Sequence, residues 1–110
     1  MGSAYSQAII KVDDVKQSFG EVKKGDVVEM KYVLTNVGTE PLLLYKYEVE
    51  CSCTTAEYDD KPILPGKSTT VIVKFDTKSA YDRQDRIVKL SSNNKNGDIK
   101  LRFKGNVKRK

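Results

Sequence analysis

Apolar residues recur at every second position through most of this chain, and helical spacing is almost absent. Val28, Met30, Tyr32 and Leu34 alternate with Glu29, Lys31 and Thr35, and Ile99, Leu101 and Phe103 alternate with Lys100, Arg102 and Lys104. Successive side chains of a strand point to opposite faces, so this period builds half-buried strands, each with one wet face. Gly, Pro and Asn signals interrupt the pattern about every ten residues, the rhythm of an all-β sandwich. About seven such strands fit the 110 residues. The expectation is a single immunoglobulin-like antiparallel β-sandwich.

Taken in order, Ile10 and Val12 face in and Lys11 and Asp13 face out. Phe19-Gly20-Glu21-Val22 is a short extended piece, and Lys24-Gly25-Asp26 is a turn. After the strand through Leu34, a turn runs from Asn36 to Pro41. Leu43, Tyr45, Tyr47 and Val49 then form an inward row, with Lys46, Glu48 and Glu50 in water. Extending that alternation puts Cys51 and Cys53 on the apolar face and Ser52 on the wet one, which makes burial the default for both thiols. Residues 59–62 form a loop, and Ile63-Leu64-Pro65-Gly66 a tight turn with Pro65 and Gly66 at its centre. Val71, Val73 and Phe75 make the next inward row. Residues 76–85 read as a polar crossing, Val88 and Leu90 face in, and Asn96-Gly97 is a hairpin turn. The boundaries expected are 1–8 for a flexible N-terminus or cloning remnant, 9–107 for the domain and 108–110 for a basic tail. Gly2 and Ser6 also fit the spacing of a myristoylation signal, beside the ordinary explanation of a cloning remnant.

Several function classes are excluded or weakened by composition. There is no histidine, which removes the commonest general base, the commonest metal ligand and every Ser-His or Cys-His dyad. Two cysteines make neither a disulfide framework nor a four-cysteine zinc site. No apolar run approaches the ~18 residues of a membrane span. Residues 1–55 hold six Lys/Arg against eight Asp/Glu, net −2, and residues 56–110 hold fourteen against seven, net +7. A basic half can attract nucleic acid, anionic lipid or another polyanion. The blander reading is solvated strand faces plus the terminal Lys108-Arg109-Lys110, and no aromatic-and-basic nucleic-acid motif supports the sharper one.

The cysteine pair leaves four readings open. Cys51 and Cys53 are two small buried hydrophobes of a core strand; or an internal disulfide; or a two-thiolate clamp for a soft ion such as Cu(I); or a nucleophile. In a regular strand their Cα atoms would lie about 6.6 Å apart, at the upper edge of what a disulfide spans. A bonded pair therefore needs a bulge and would serve better as a redox couple than as a staple. Zinc would need further ligands from Glu57, Asp59, Asp60 or a second copy. As a nucleophile the thiol has only Lys61 in reach as an activating cation. Among the tyrosines, Tyr32, Tyr45 and Tyr47 read as core, while Tyr58 and Tyr81 are candidate anchors for a partner. Asp59-Asp60 reads as solvated loop.

The turns taken together resemble a known family. Phe19-Gly20-Glu21-Val22, Lys24-Gly25-Asp26 and Thr35-Asn36-Val37-Gly38-Thr39-Glu40-Pro41-Leu42 resemble the opening of the domain of unknown function 1573. Cys51-Ser52-Cys53-Thr54 resembles its Cys-Gly-Cys-Thr signature. Ile63-Leu64-Pro65-Gly66-Lys67-Ser68, Val73-Lys74-Phe75-Asp76-Thr77 and Gly105-Asn106-Val107 continue the match over roughly residues 10 to 107. The resemblance implies an immunoglobulin-like sandwich akin to the major sperm protein and pilus-chaperone folds, in a bacterial protein exported to the periplasm or cell surface. It implies no established activity. Ser52 stands where that family usually has Gly, and a serine there favours a regular strand or mild bulge over a sharp bend.

Together these readings predict a non-catalytic binding or structural module of the bacterial envelope. The expected partner is another envelope protein. No cofactor, nucleic acid or membrane span is expected, and the default state is a monomer. The alternative is a thiol-based redox or copper-handling protein using Cys51 and Cys53.

Overall fold

A computed structural model describes residues 7–95 and 97–109. Gly2 and Ser6, and Asn96 of the predicted hairpin turn, lie outside the described residues. Eight strands are present among them: β1 (Ile10–Asp13), β2 (Lys16–Lys23), β3 (Val27–Asn36), β4 (Leu44–Val49), β5 (Thr54–Glu57), β6 (Ser68–Asp76), β7 (Asp82–Ser92) and β8 (Ile99–Lys108). They form two four-stranded sheets with orders β1-β3-β6-β5 and β2-β8-β7-β4. All pairings are antiparallel except β2 with β8, which is parallel. The molecule is thus an immunoglobulin-like β-sandwich.

The alternation seen in the sequence becomes the core. Met30, Tyr32 and Leu34 of β3 and Val71, Val73 and Phe75 of β6 face Val88 and Leu90 of β7 and Leu101, Phe103 and Val107 of β8, all buried. Full burial of each such side chain is worth roughly 1.5–3 kcal/mol. Phe19, Phe75 and Phe103 make an aromatic cluster across the two sheets, with centroids 5.4–6.3 Å apart. Phe19 enters through a register shift in β2 between Ser18 and Gly20. Its ring lies over Gly105, where any Cβ would overlap it; the glycine of Gly105-Asn106-Val107 therefore makes room for a ring. The turn after Ile63 forms as expected: the Lys67 N–H donates to the Leu64 carbonyl at 2.9 Å, and Gly66 takes φ 82°, which only glycine accepts freely at the third position.

Three expectations are corrected. On the approach to β4 and along it, the inward side chains are Leu42, Leu44, Tyr47 and Val49, not Leu43 and Tyr45. The register passes from Leu44↔Ser92 to Tyr47↔Leu90, so a bulge inserts one extra residue and resets the phase. Tyr45 is left 57 % exposed. Second, Ala8 is buried and bridges to Asn94, and Gln7 exchanges hydrogen bonds with Thr39; the domain reaches back past residue 9. Third, Lys108 belongs to β8 and pairs with Glu21 at 3.4 Å, and Arg109 pairs with Asp82 at 2.9 Å, so these two are not a loose tail.

Candidate functional site

β4 lies in one sheet and β5 in the other, so the chain must change sheets between Val49 and Thr54. It does so in a tight turn. The Thr54 N–H donates to the Cys51 carbonyl at 3.1 Å, which puts Ser52 and Cys53 at the turn's centre. Neither takes positive φ, so the bend needs no glycine and serine suits it. The expected continuation of the strand through Cys51 and Cys53 is therefore wrong. Period-two alternation describes a chain that stays in one sheet, and this segment leaves it.

The turn draws the two Cα atoms to 5.1 Å, inside the range a disulfide spans, and Cys51 and Cys53 are bonded to each other. The Cys53 N–H also points at Cys51 Sγ, 3.2 Å away. Both residues are half-buried rather than buried, and Ser52 is exposed. The Cys53 carbonyl accepts from the Asp76 N–H at 2.8 Å, and Thr54 is buried behind it. The disulfide is thus fixed to the sheet on one side and open to solvent on the other.

It forms one wall of an open groove of about 420 Å³ whose other walls include Val27, Thr55, Lys74, Asp76 and Lys78. Register brings them together: Val27 stands opposite Asp76, and Thr55 opposite Lys74. Val27 is 61 % exposed. The Lys74 ammonium lies 3.3 Å from Glu57, and the Asp76 carboxylate caps a single 3-10 turn, Thr77–Ser79, by accepting from the Lys78 N–H at 2.9 Å. Lys74 and Lys78 are thus the cations that line the groove beside the pair, and Lys74 is already held by Glu57. The sequence offered Lys61 for that role. Lys61 instead lines a different groove with Asp59, Pro62 and Ile63. Lys74 and Lys78 were not legible as neighbours of the cysteines, because only cross-strand register places them there. Glu57, Asp59 and Asp60 do not gather at the pair: no group of three or more metal-ligating side chains occurs among the described residues.

The two tyrosine candidates separate. Tyr58 is half-buried, edge-on to Tyr47 at 6.4 Å, and its hydroxyl donates to the Tyr45 carbonyl at 3.4 Å. Burial, with a smaller contribution from Tyr47, pushes its phenol above the usual range. Tyr81 is 52 % exposed, with the Arg109 guanidinium 4.7 Å and the Lys24 ammonium 5.9 Å from its ring centre. Of the two, only Tyr81 presents a large free surface. Tyr45, assigned to the core from sequence, is the other exposed tyrosine among the described residues.

A family model described as a protein of unknown function, DUF1573, matches residues 10–107. The chain belongs to this family. None of the curated proteins matches it. Among solved structures, a protein of unknown function from Porphyromonas gingivalis W83 superposes with a TM-score of 0.80 at 19 % identity, over 92 % of this chain and 48 % of that one. This DUF1573 chain therefore spans about half the length of that relative. The PapD-like domain 7 of human CEP192 superposes at 0.73 and 9 % identity, over 96 % and 89 % of the two chains. WR4, an MSP family member of C. elegans, does so at 0.58 and 6 %, over 91 % and 98 %. At such identities the likeness is one of fold. Among the described residues of the DUF1573 chain, no helix is long and apolar enough to cross a membrane.

Proposed function

We propose that this chain is a non-catalytic binding module of the bacterial envelope, exported to the periplasm or cell surface, that holds a protein partner along a free sheet edge. The observation that carries this reading is the β4 edge. β4 is the last strand of its sheet and, among the described residues, pairs only with β7, and the bulge turns Tyr45 out into solvent beside that edge. Strand addition draws affinity from backbone hydrogen bonds, and an exposed aromatic supplies the anchor. The test is affinity capture from an envelope extract of the source bacterium with wild-type protein and with Tyr45→Arg. A partner held by the first and lost by the second supports the reading. Capture that no substitution along β4 disturbs refutes it.

One observation favours a second reading. The Cys51–Cys53 disulfide faces an open groove with two ammonium groups. An incoming thiolate would attack one sulfur and expel the other as a thiolate. A second thiolate would then resolve the mixed disulfide, leaving both cysteines reduced and the partner oxidised. The reduced pair would also offer the soft donors that Cu(I) takes. A thiol count on protein purified without reductant, native and then denatured, tests this. No thiol in either state, with rapid reduction by a small dithiol, supports a redox couple. Two thiols that appear only on denaturation sink it.

A further inference from the structure

Cross-strand register assigns every strand side chain to a face, and the two outer faces of the sandwich differ in charge. On the outer face of β1-β3-β6-β5, Lys11, Lys31 and Lys74 stand against Asp13, Glu29, Glu57 and Asp76, net −1. The outer face of β2-β8-β7-β4 is different. β8 alone sets Lys100, Arg102, Lys104 and Lys108 in one row. β2 adds Lys16 and Lys23, β7 adds Arg83 and Lys89, and β4 adds Lys46. Against these nine cations stand five carboxylates, Glu21, Glu48, Glu50, Asp85 and Asp98, so this face carries +4 of the chain's +5.

Folding does not call for this arrangement. Lys89 stands directly opposite Lys100, Lys16 opposite Arg102, and Lys23 opposite Lys108, and like charges at opposed positions destabilise a sheet. The ion pairs present involve only Arg102, Lys108 and Lys89. Lys16, Lys23, Lys46, Arg83, Lys100 and Lys104 enter none among the described residues. The array is also two-dimensional. A single-file polyanion lying along β8 would leave Lys16, Lys23 and Arg83 unneutralised, whereas a planar anionic surface meets all of them. Ile87, opposite Arg102 near the middle of the face, is 41 % exposed and adds an apolar side chain that can settle among headgroups.

We propose that the outer face of β2-β8-β7-β4 docks on a bilayer surface rich in anionic phospholipid. The face is distinct from the groove of the disulfide, which opens on the opposite sheet, and β4 gives it a single cation, Lys46, while the lysines tested on it lie on β8, so this inference and the partner reading can fail separately. The experiment is co-sedimentation of the 110-residue chain with vesicles of phosphatidylcholine alone and with added phosphatidylglycerol. Binding is expected only to the anionic vesicles, and is expected to vanish in about 1 M salt, where the Debye length falls to about 3 Å. The double variant Lys100→Glu/Lys104→Glu should lose at least about tenfold in binding, since each cation near an anionic surface contributes a similar share. Lys11→Glu/Lys31→Glu, on the other face, should bind as the wild type does. All four lysines are exposed, and unfolding midpoints verify that both variants fold. The proposal is overturned by absence of binding to anionic vesicles at low salt, by binding that survives high salt, or by equal loss in both variants. Retention of inorganic polyphosphate without vesicle binding would also overturn it, because the ligand would then be a soluble polymer.

Discussion

Asn36 is fully buried and ties three segments together. Its side-chain amide donates to the Glu40 carbonyl at 2.7 Å and the Ile63 carbonyl at 2.8 Å, and its Oδ1 accepts from the Gly38 N–H at 2.9 Å. Replacing it with alanine strands the buried Ile63 carbonyl, at about 1–3 kcal/mol, and leaves the part-buried Glu40 carbonyl and Gly38 N–H to find water at a smaller cost. Asn36→Ala should therefore lose about 2–4 kcal/mol in urea unfolding. The sequence marks Asn36 as a turn residue, but not its partner 27 positions away. Tyr32 is a comparable case in the core. Its hydroxyl donates across the sandwich to the Arg102 carbonyl at 2.7 Å, and burial holds its phenol well above the usual 10.0. Above pH 10 the unfolded chain releases this proton while the folded chain keeps it, so stability falls as pH rises. Tyr32→Phe should cost about 1 kcal/mol at neutral pH. Its deficit against wild type should narrow above pH 10, as read from paired urea titrations. Alternation alone placed Tyr32 in the core; the acceptor for its hydroxyl was not legible.

At the scale of elements, the chain's least regular segment is its most informative. β4, its bulge and the sheet-changing turn occupy residues 44–53, and here the period-two reading slips twice. A bulge adds one residue and inverts the phase, and a turn abolishes phase altogether. Neither leaves a mark in Leu43-Leu44-Tyr45-Lys46, where several apolar residues could face in. The Cys51–Cys53 link closes a loop far too short to restrict the unfolded chain much. The loop-entropy estimate for three residues is under about 2 kcal/mol. Reduction by dithiothreitol should accordingly lower stability by less than about 2 kcal/mol in urea unfolding, leaving the sandwich folded. A larger loss would mark the disulfide as a staple rather than a surface-accessible couple.

For the whole molecule, charge is organised by topology. The basic second half of the sequence supplies β7 and β8, and parallel pairing brings Lys16 and Lys23 of β2 alongside β8. The exposed pairs Asp85–Arg102 and Asp82–Arg109 hold both carboxyls below their usual range, chiefly through the hydrogen bond from the arginine. A lowered folded pKa stabilises above the unfolded value of about 3.9 and ceases to do so as pH falls through the folded one. Asp85→Asn and Asp82→Asn should thus be less stable than wild type at pH 7. The difference should shrink below about pH 4, followed by thermal melts across the acid range. The sequence by itself determined the sandwich, most of its strands and the inward rows of β3, β6, β7 and β8, because alternation and turn chemistry are local. It also singled out Cys51 and Cys53. Only the tertiary structure decided that the two are bonded at a turn, that Lys74 and Lys78 share their groove, and that Tyr45 faces water. Only it gathers the cations on one face. Those facts depend on which strands become neighbours and in what register, and neighbourhood across a sheet is a property of the assembled chain, not of any stretch within it.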